Sequence, residues 1–122
     1  MRYSVKSELT LQPRLHAISS LVPDGAKLVD VGTDHGFIPV RLLLDHRIHT
    51  AIASDIGAAP LDHARRTAAQ FGVTERMDFR LCDGLCGISE NEVDTVVIAG
   101  MGGDNIAAIL SAAPWTKNGT LL

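Results

Sequence analysis

Apolar positions along this chain recur first at helical spacing and then in short runs cut by glycine, proline and acids. Leu11, Leu15, Ile18 and Leu21 with Val22 lie three or four apart, which predicts an opening helix. Thr10 is its expected cap, and Pro23-Asp24-Gly25 is its stop. Residues 1–11 are polar and poorly periodic. A strand is predicted over residues 27–31, then a helix over 37–47 with Pro39 tolerated in its first turn. A second strand over 50–55 ends on an acid, and a helix over 59–71 follows. Pro60 stands near the start of that helix and Gly72 just past its end. Its inner stripe is Leu61, Ala64, Ala68 and Phe71, with Arg65 and Arg66 facing away. Residues 77–82 read as a third strand, and 85–92 as a loop or short turn. Residues 93–99 are nearly all apolar, as expected of a central strand buried on both faces. Gly100-Met101-Gly102-Gly103 then turns into a helix over 104–112, with Asp104 suited to the positive end of the helix dipole. Residues 114–118 read as a loop and 119–122 as the first half of a fifth strand.

Strands alternating with helices predict an α/β fold, a doubly wound and mostly parallel sheet with right-handed crossovers. No repeat, low-complexity tract or linker divides it, so residues 1–122 form one domain with its last strands incomplete.

Composition narrows the class. Hydrophobic residues are 46% and charged residues 20%, an ordinary globular balance. The net charge of −3 excludes a chain that is basic overall, though a local patch could still meet RNA. No apolar run reaches the roughly 18 residues of a membrane span. The first residues lack the apolar core of a signal peptide, so the expected location is cytoplasmic. Cys82 and Cys86 form a C-x-x-x-C with no second pair and read as reduced thiols. His46 and His49 are three apart but lack a third ligand, so no metal is expected. Nothing sets an oligomeric state.

The candidate chemistry gathers at the predicted strand ends, where ligands of open α/β sheets lie. Asp30-Val31-Gly32-Thr33-Asp34-His35-Gly36 forms a D-x-G-x-x-x-G turn between strand and helix. Asp55 ends the second strand, 19 residues after Gly36, where a carboxylate can accept from both hydroxyls of a ribose. The other reading of Asp55 is a cap for the following helix. Asp83-Gly84 follows the third strand. Asp83 either accepts from an adenine amine or belongs to an ordinary Asp-Gly turn. The first turn is not G-x-G-x-x-G, and Asp34 within it would repel a diphosphate. That points away from NAD and toward S-adenosyl-L-methionine, whose ammonium and sulfonium Asp30 and Asp34 can orient while backbone N–H groups serve its carboxylate. The rival reading is that Asp34-His35 only caps the helix.

Three stretches carry a resemblance: VDVGTDHGFIPVRLL (residues 29–43), ASDIGAAPLDHA (53–64) and DTVVIAGMGGDNIAAIL (94–110). LQPRLHAISSLVP (11–23) also fits. Together they resemble class I S-adenosylmethionine-dependent methyltransferases, and most of all the bacterial tRNA (adenine-22-N1)-methyltransferase family. T-D-H-G with A-G-M-G-G is the specific part. Phe37 stands where that family often has tyrosine, and Ala58-Ala59 where it has Lys-Gly. The resemblance implies methyl transfer to N1 of adenine 22 in a tRNA substrate, without a metal. It implies cofactor contacts from Asp30, Gly32, Thr33, Asp34, Gly36, Asp55, Ile56, Asp83, Gly84, Ala99, Gly100 and Met101, and catalytic roles for Asp34 and His35. It also implies that this chain is the N-terminal part of such a protein, without the helical C-terminal domain that helps hold tRNA. The rivals are a cofactor-binding piece without catalysis and an NAD- or nucleotide-binding domain.

Overall fold

The computed structural model describes residues 9–121. Five parallel strands form one sheet in the order β3-β2-β1-β4-β5. They are β1 (Leu28–Val31), β2 (Ala51–Asp55), β3 (Met77–Leu81), β4 (Thr95–Val97) and β5 (Thr120–Leu121). The helices are α1 (Pro13–Leu21), α2 (Phe37–Leu44), α3 (Ala58–Gln70) and α4 (Gly103–Ser111). The expected α/β, doubly wound parallel sheet is the observed one.

Strand alternation sends side chains to two separate cores. Leu28, Ala51, Ala53, Met77 and Val97 face α1, α2 and α3, where they meet Ile38, Leu42, Leu43 and Ala68. Val29, Val31, Ile52 and Val96 face the other way and pack with Leu85, Ile88, Val93 and Ala113. Ile106, Ile109 and Leu110 of α4 cover that second face. Helices on both faces of a parallel sheet explain why the inner strands are apolar throughout.

Several boundaries differ from expectation for local reasons. Thr10 does not cap α1. Gln12 holds that position, without a side-chain bond, and Pro13 opens the helix with its fixed φ. The second helix stops at Leu44, not at residue 47, because His46 turns left-handed at φ 57°. The N–H groups of His46 and Arg47 then donate to the carbonyls of Leu43 and Leu42, a Schellman closure. α3 ends the same way around Gly72 at φ 75°, with Gly72 and Val73 donating to Ala69 and Ala68. Thr67, not Phe71, completes the fully buried stripe of α3.

β4 is shorter than the expected seven-residue run and pairs with β1 only from Thr95 to Val97. It lies inside the sheet, but β1 is the centre. Val93 and Ile98 are buried as loop residues of the core, which accounts for the apolar run without more strand. The start of β4 is pinned to β1. The Lys27 carbonyl accepts from Asp94 and Thr95 N–H at 2.9 and 3.1 Å, and Asp94 Oδ1 accepts from Lys27 N–H at 3.0 Å. Residues Pro114–Asn118 form a 3-10 turn rather than open loop. Leu121 is 44% exposed at the β5 edge, and Leu122 lies outside the described residues. Among the described residues, no helix is long and apolar enough to cross a membrane.

Candidate functional site

The chain leaves β1 toward β2 on one side and returns to β4 on the other. The carboxyl ends of β1 and β4 are therefore the switch point, where the helices diverge and leave a crevice. The loop after β1 lines it. Gly32, Asp34 and Gly36 are all left-handed, with φ of 67°, 55° and 71°. Aspartate tolerates that region better than bulkier residues. Thr33 N–H donates to the Ser54 carbonyl at 2.9 Å, and Gly36 N–H to the Thr33 carbonyl at 3.0 Å, so the loop is tied to the end of β2.

Asp55 makes the second tie. Its Oδ2 accepts from Asp34 N–H at 3.1 Å and its Oδ1 from Gly57 N–H at 3.0 Å. The turn into α3 and the loop after β1 thus share one carboxylate. Each oxygen keeps a second lone pair, so Asp55 can shape the turn and still accept from a vicinal diol. Asp30 lies beneath, only 3% exposed, and Thr33 Oγ1 donates to its Oδ2 at 2.8 Å. Burial pushes its pKa up to about 7; the Thr33 hydrogen bond opposes this and the Asp55 charge adds to it.

His35 stands in a ring stack. Its imidazole is nearly parallel to Phe37, centroids 5.1 Å apart, and to His63 of α3, centroids 5.0 Å apart. His35 Nε2 is 3.8 Å from Asp34 Oδ2. Asp34, His35 and His63 bring potential ligand atoms within 4.8 Å of one another. Imidazole binds metal through a lone pair in the ring plane. The His35 and His63 rings are nearly parallel, at 5°, and form an aromatic ledge beside Asp34.

Two clefts meet at Gly32. The first, about 110 Å³, is walled by Asp30, Thr33, Asp34, His35, Phe37, Ala99, Gly100 and Arg14. The second, about 240 Å³, is walled by Asp55, Ile56, Asp83, Gly84, Met101 and residues of α4. Met101 lies over their junction, and a Cβ on Gly32 would meet its Cε at 2.7 Å. Glycine is favoured here by its left-handed φ, whereas the Met101 methyl is the tip of a flexible side chain that can move aside.

Residues 11–121 match the methyltransferase domain family. The chain belongs to that family. It is 39% identical over 106 residues to the tRNA (adenine(22)-N(1))-methyltransferase of Bacillus subtilis, covering 87% of this chain and 44% of the relative. A putative tRNA (m1A22) methyltransferase of Streptococcus pneumoniae, solved with S-adenosyl-L-methionine, superposes with a TM-score of 0.85 at 34% identity. That likeness covers 92% of this chain and 54% of the other. An M. capricolum relative solved with S-adenosylhomocysteine gives 0.79 at 31% identity, covering 84% and 47%. This methyltransferase domain thus spans about half the length of these relatives.

The fold brings almost all the expected residues of the methyltransferase site together. Asp30, Gly32, Thr33, Asp34, His35, Ala99 and Gly100 share the first cleft; Gly32, Asp55, Ile56, Asp83, Gly84 and Met101 share the second. Gly36 lines neither. A Cβ there would meet that of Ala64 at 3.1 Å, so this glycine lets α2 pack on α3. Asp83 is both turn and wall: its carbonyl accepts from Cys86 N–H at 3.0 Å while the residue lines the second cleft. Ile56 is 69% exposed at the lip of that cleft, an apolar surface suited to a flat ring.

Sequence reasoning missed Arg14, Phe37 and His63. Arg14 Nη1 donates to the Ala99 carbonyl, a contact across 85 residues that no local pattern announces. A third cleft of about 380 Å³ lies at the opposite sheet edge, around Lys27, Thr50, Met77 and Arg80. It is larger but has none of the glycine turns. Its Arg76 already donates to the carbonyls of Leu43, Ile48 and His49.

Proposed function

We propose that this domain carries out S-adenosyl-L-methionine-dependent methyl transfer to N1 of an adenine in tRNA, at position 22. The observation that carries the reading is the pair of clefts joined at Gly32. One offers a diol acceptor, Asp55, beside the apolar Ile56; the other offers the acids Asp30 and Asp34 beside the cation Arg14. That donor set matches a nucleoside with a zwitterionic, cationic tail. It suits NAD poorly, since a diphosphate near Asp34 would be repelled. The names of the relatives support the same substrate and cofactor.

When bound, the cofactor supplies a methyl group on a sulfonium. Adenine N1 carries its own lone pair, so the protein needs no strong base and works by holding N1 in line. Gly100, Gly102 and Gly103 have nothing within 4 Å of their would-be Cβ positions, which leaves room for a base at the end of β4. Asp34 is assigned the stabilisation of positive charge on the methylated base. His35, braced between Phe37 and His63, presents a fixed ring edge beside it. A paired adenine must first leave its helix, at a cost of a few kcal/mol.

The test is transfer of labelled methyl from S-adenosylmethionine to unmodified tRNA, with reverse transcription across position 22. The reading predicts label in the RNA and a new stop there, because N1 methylation blocks the pairing edge. Cofactor binding without label leaves the second reading, a cofactor-binding unit that does not act on tRNA alone. Four of the arginines favour that second reading. Arg41, Arg47, Arg76 and Arg80 all donate to backbone carbonyls or carboxylates of this chain. They are staples of the fold rather than a waiting phosphate track.

A further inference from the structure

We propose that Asp34, His35 and His63 form a binding site for one divalent cation of the zinc class. Their potential ligand atoms, two imidazole nitrogens and a carboxylate oxygen, all lie within 4.8 Å of one another. Two neutral nitrogens and one anionic oxygen are a donor set that such ions take, whereas magnesium and calcium prefer oxygen alone. Ion binding is separate from methyl transfer, so the proposal stands whether or not this domain acts on tRNA.

Packing explains why the three residues meet. A Cβ at Gly36 would come within 3.1 Å of that of Ala64, so the loop after β1 touches α3 there. His35 and His63 directly precede those two residues and are brought side by side, ring centroids 5.0 Å apart. Asp34 joins them, with its Oδ2 3.8 Å from His35 Nε2. The side chains are spare. The hydrogen bonds described at Asp34 and His63 run through a backbone N–H and a backbone carbonyl. The His35 and Asp34 side chains are 46% and 64% exposed, so an ion can reach them from solvent.

The two rings lie parallel, while the lone pair of each lies in its own ring plane. One or both must turn about Cβ–Cγ to share an ion. That torsion is broad in histidine, and the turn gives up a stacking contact rather than a hydrogen bond.

The test is calorimetric titration of the metal-free chain with zinc, repeated in excess magnesium. One ion per chain is expected, undisturbed by magnesium. His63→Ala should weaken binding by about tenfold or more, since loss of even an outer partner of a metal ligand costs that much. Alanine suits the interior of α3, and unchanged urea unfolding checks that the variant keeps its fold. Ring-nitrogen NMR of the unmutated chain should show His35 and His63 shifting together as zinc is added. Replacing His46 with His49, or Cys82 with Cys86, by alanine or serine should leave the affinity unchanged. If His63→Ala binds zinc as tightly, or if either of those paired variants loses it, the ion sits elsewhere and the inference is wrong. Displacement of zinc by magnesium, or no binding at all, would also overturn it.

Discussion

Asp30 is a buried acid on the wall of the first cleft. Its side chain is buried with a single hydrogen-bond partner among the described residues, the Thr33 hydroxyl, and its pKa is pushed up to about 7 from the ordinary 3.8. Between those values the folded state holds a proton that the unfolded state has released. Stability therefore falls as pH rises through this window. The loss between pH 5 and pH 7 is about 2 kcal/mol, since one proton held through each pH step is worth about 1.4 kcal/mol. Asp30→Asn should remove that slope and be the more stable protein at pH 7, as urea unfolding at the two pH values would read. Equal slopes would mean that Asp30 is not the titrating group. Glu92 behaves oppositely. The Arg80 hydrogen bonds first, then Ser89 N–H, hold it down to about 2, so its contribution is present above pH 4.5 and fades only as pH falls toward 2. Asp55 is a ligand-binding prediction rather than a stability one. Asp55→Ala should weaken S-adenosylhomocysteine binding by about tenfold or more, the roughly 1.5–3 kcal/mol of hydrogen bonds to a charged group; unchanged affinity takes Asp55 out of the site. Asp30, Asp34, Asp55 and Asp83 were legible in the sequence because each sits in a glycine turn or at a strand end, where polar punctuation stands out. Arg14 and His63 were not. Each lies on a helix whose local pattern serves packing, and each acquires meaning only from a partner far away along the chain.

At the scale of elements, helix ends show where sequence reading succeeds and where it fails. α2 and α3 close with the same pair of bonds. In α3 the left-handed residue is Gly72 and the end is readable; in α2 it is His46, and apolar periodicity suggested another turn. A side chain in the left-handed region costs roughly 1 kcal/mol that glycine avoids. His46→Gly should therefore stabilise the protein by about 0.5–1 kcal/mol after the extra entropy of glycine in the unfolded chain. A loss of stability in urea unfolding would show that the imidazole makes a compensating contact. β4, like α2, is shorter than its apolar pattern suggested. Burial and strand pairing usually coincide, but Val93 and Ile98 are buried without lying in the strand. Arg80 supplies part of the reason the preceding segment is ordered. It binds Glu92 through both carboxylate oxygens and also the Gly87 carbonyl, fixing residues 87–92 against β3.

For the whole molecule, strand order is the fact that generates function. β1 at the centre, with β2 and β4 on either side, opens the crevice that the β1 loop, Asp55 and the Gly100–Gly103 turn surround. The parallel α/β class followed from alternation of strand and helix, and the site edge followed from the class. The depth of the two clefts and the Met101 side chain between them did not, because they depend on how side chains pack once the sheet is built. The domain's size suits a direct measurement of where the ligand sits. Amide NMR of the chain, titrated with S-adenosylhomocysteine, should show saturating shifts at Gly32, Thr33, Asp34, Ile56, Gly84, Gly100 and Met101, and none of these with NAD. Absence of shifts, or shifts gathered instead around Lys27, Thr50 and Met77 at the opposite edge, would contradict the account.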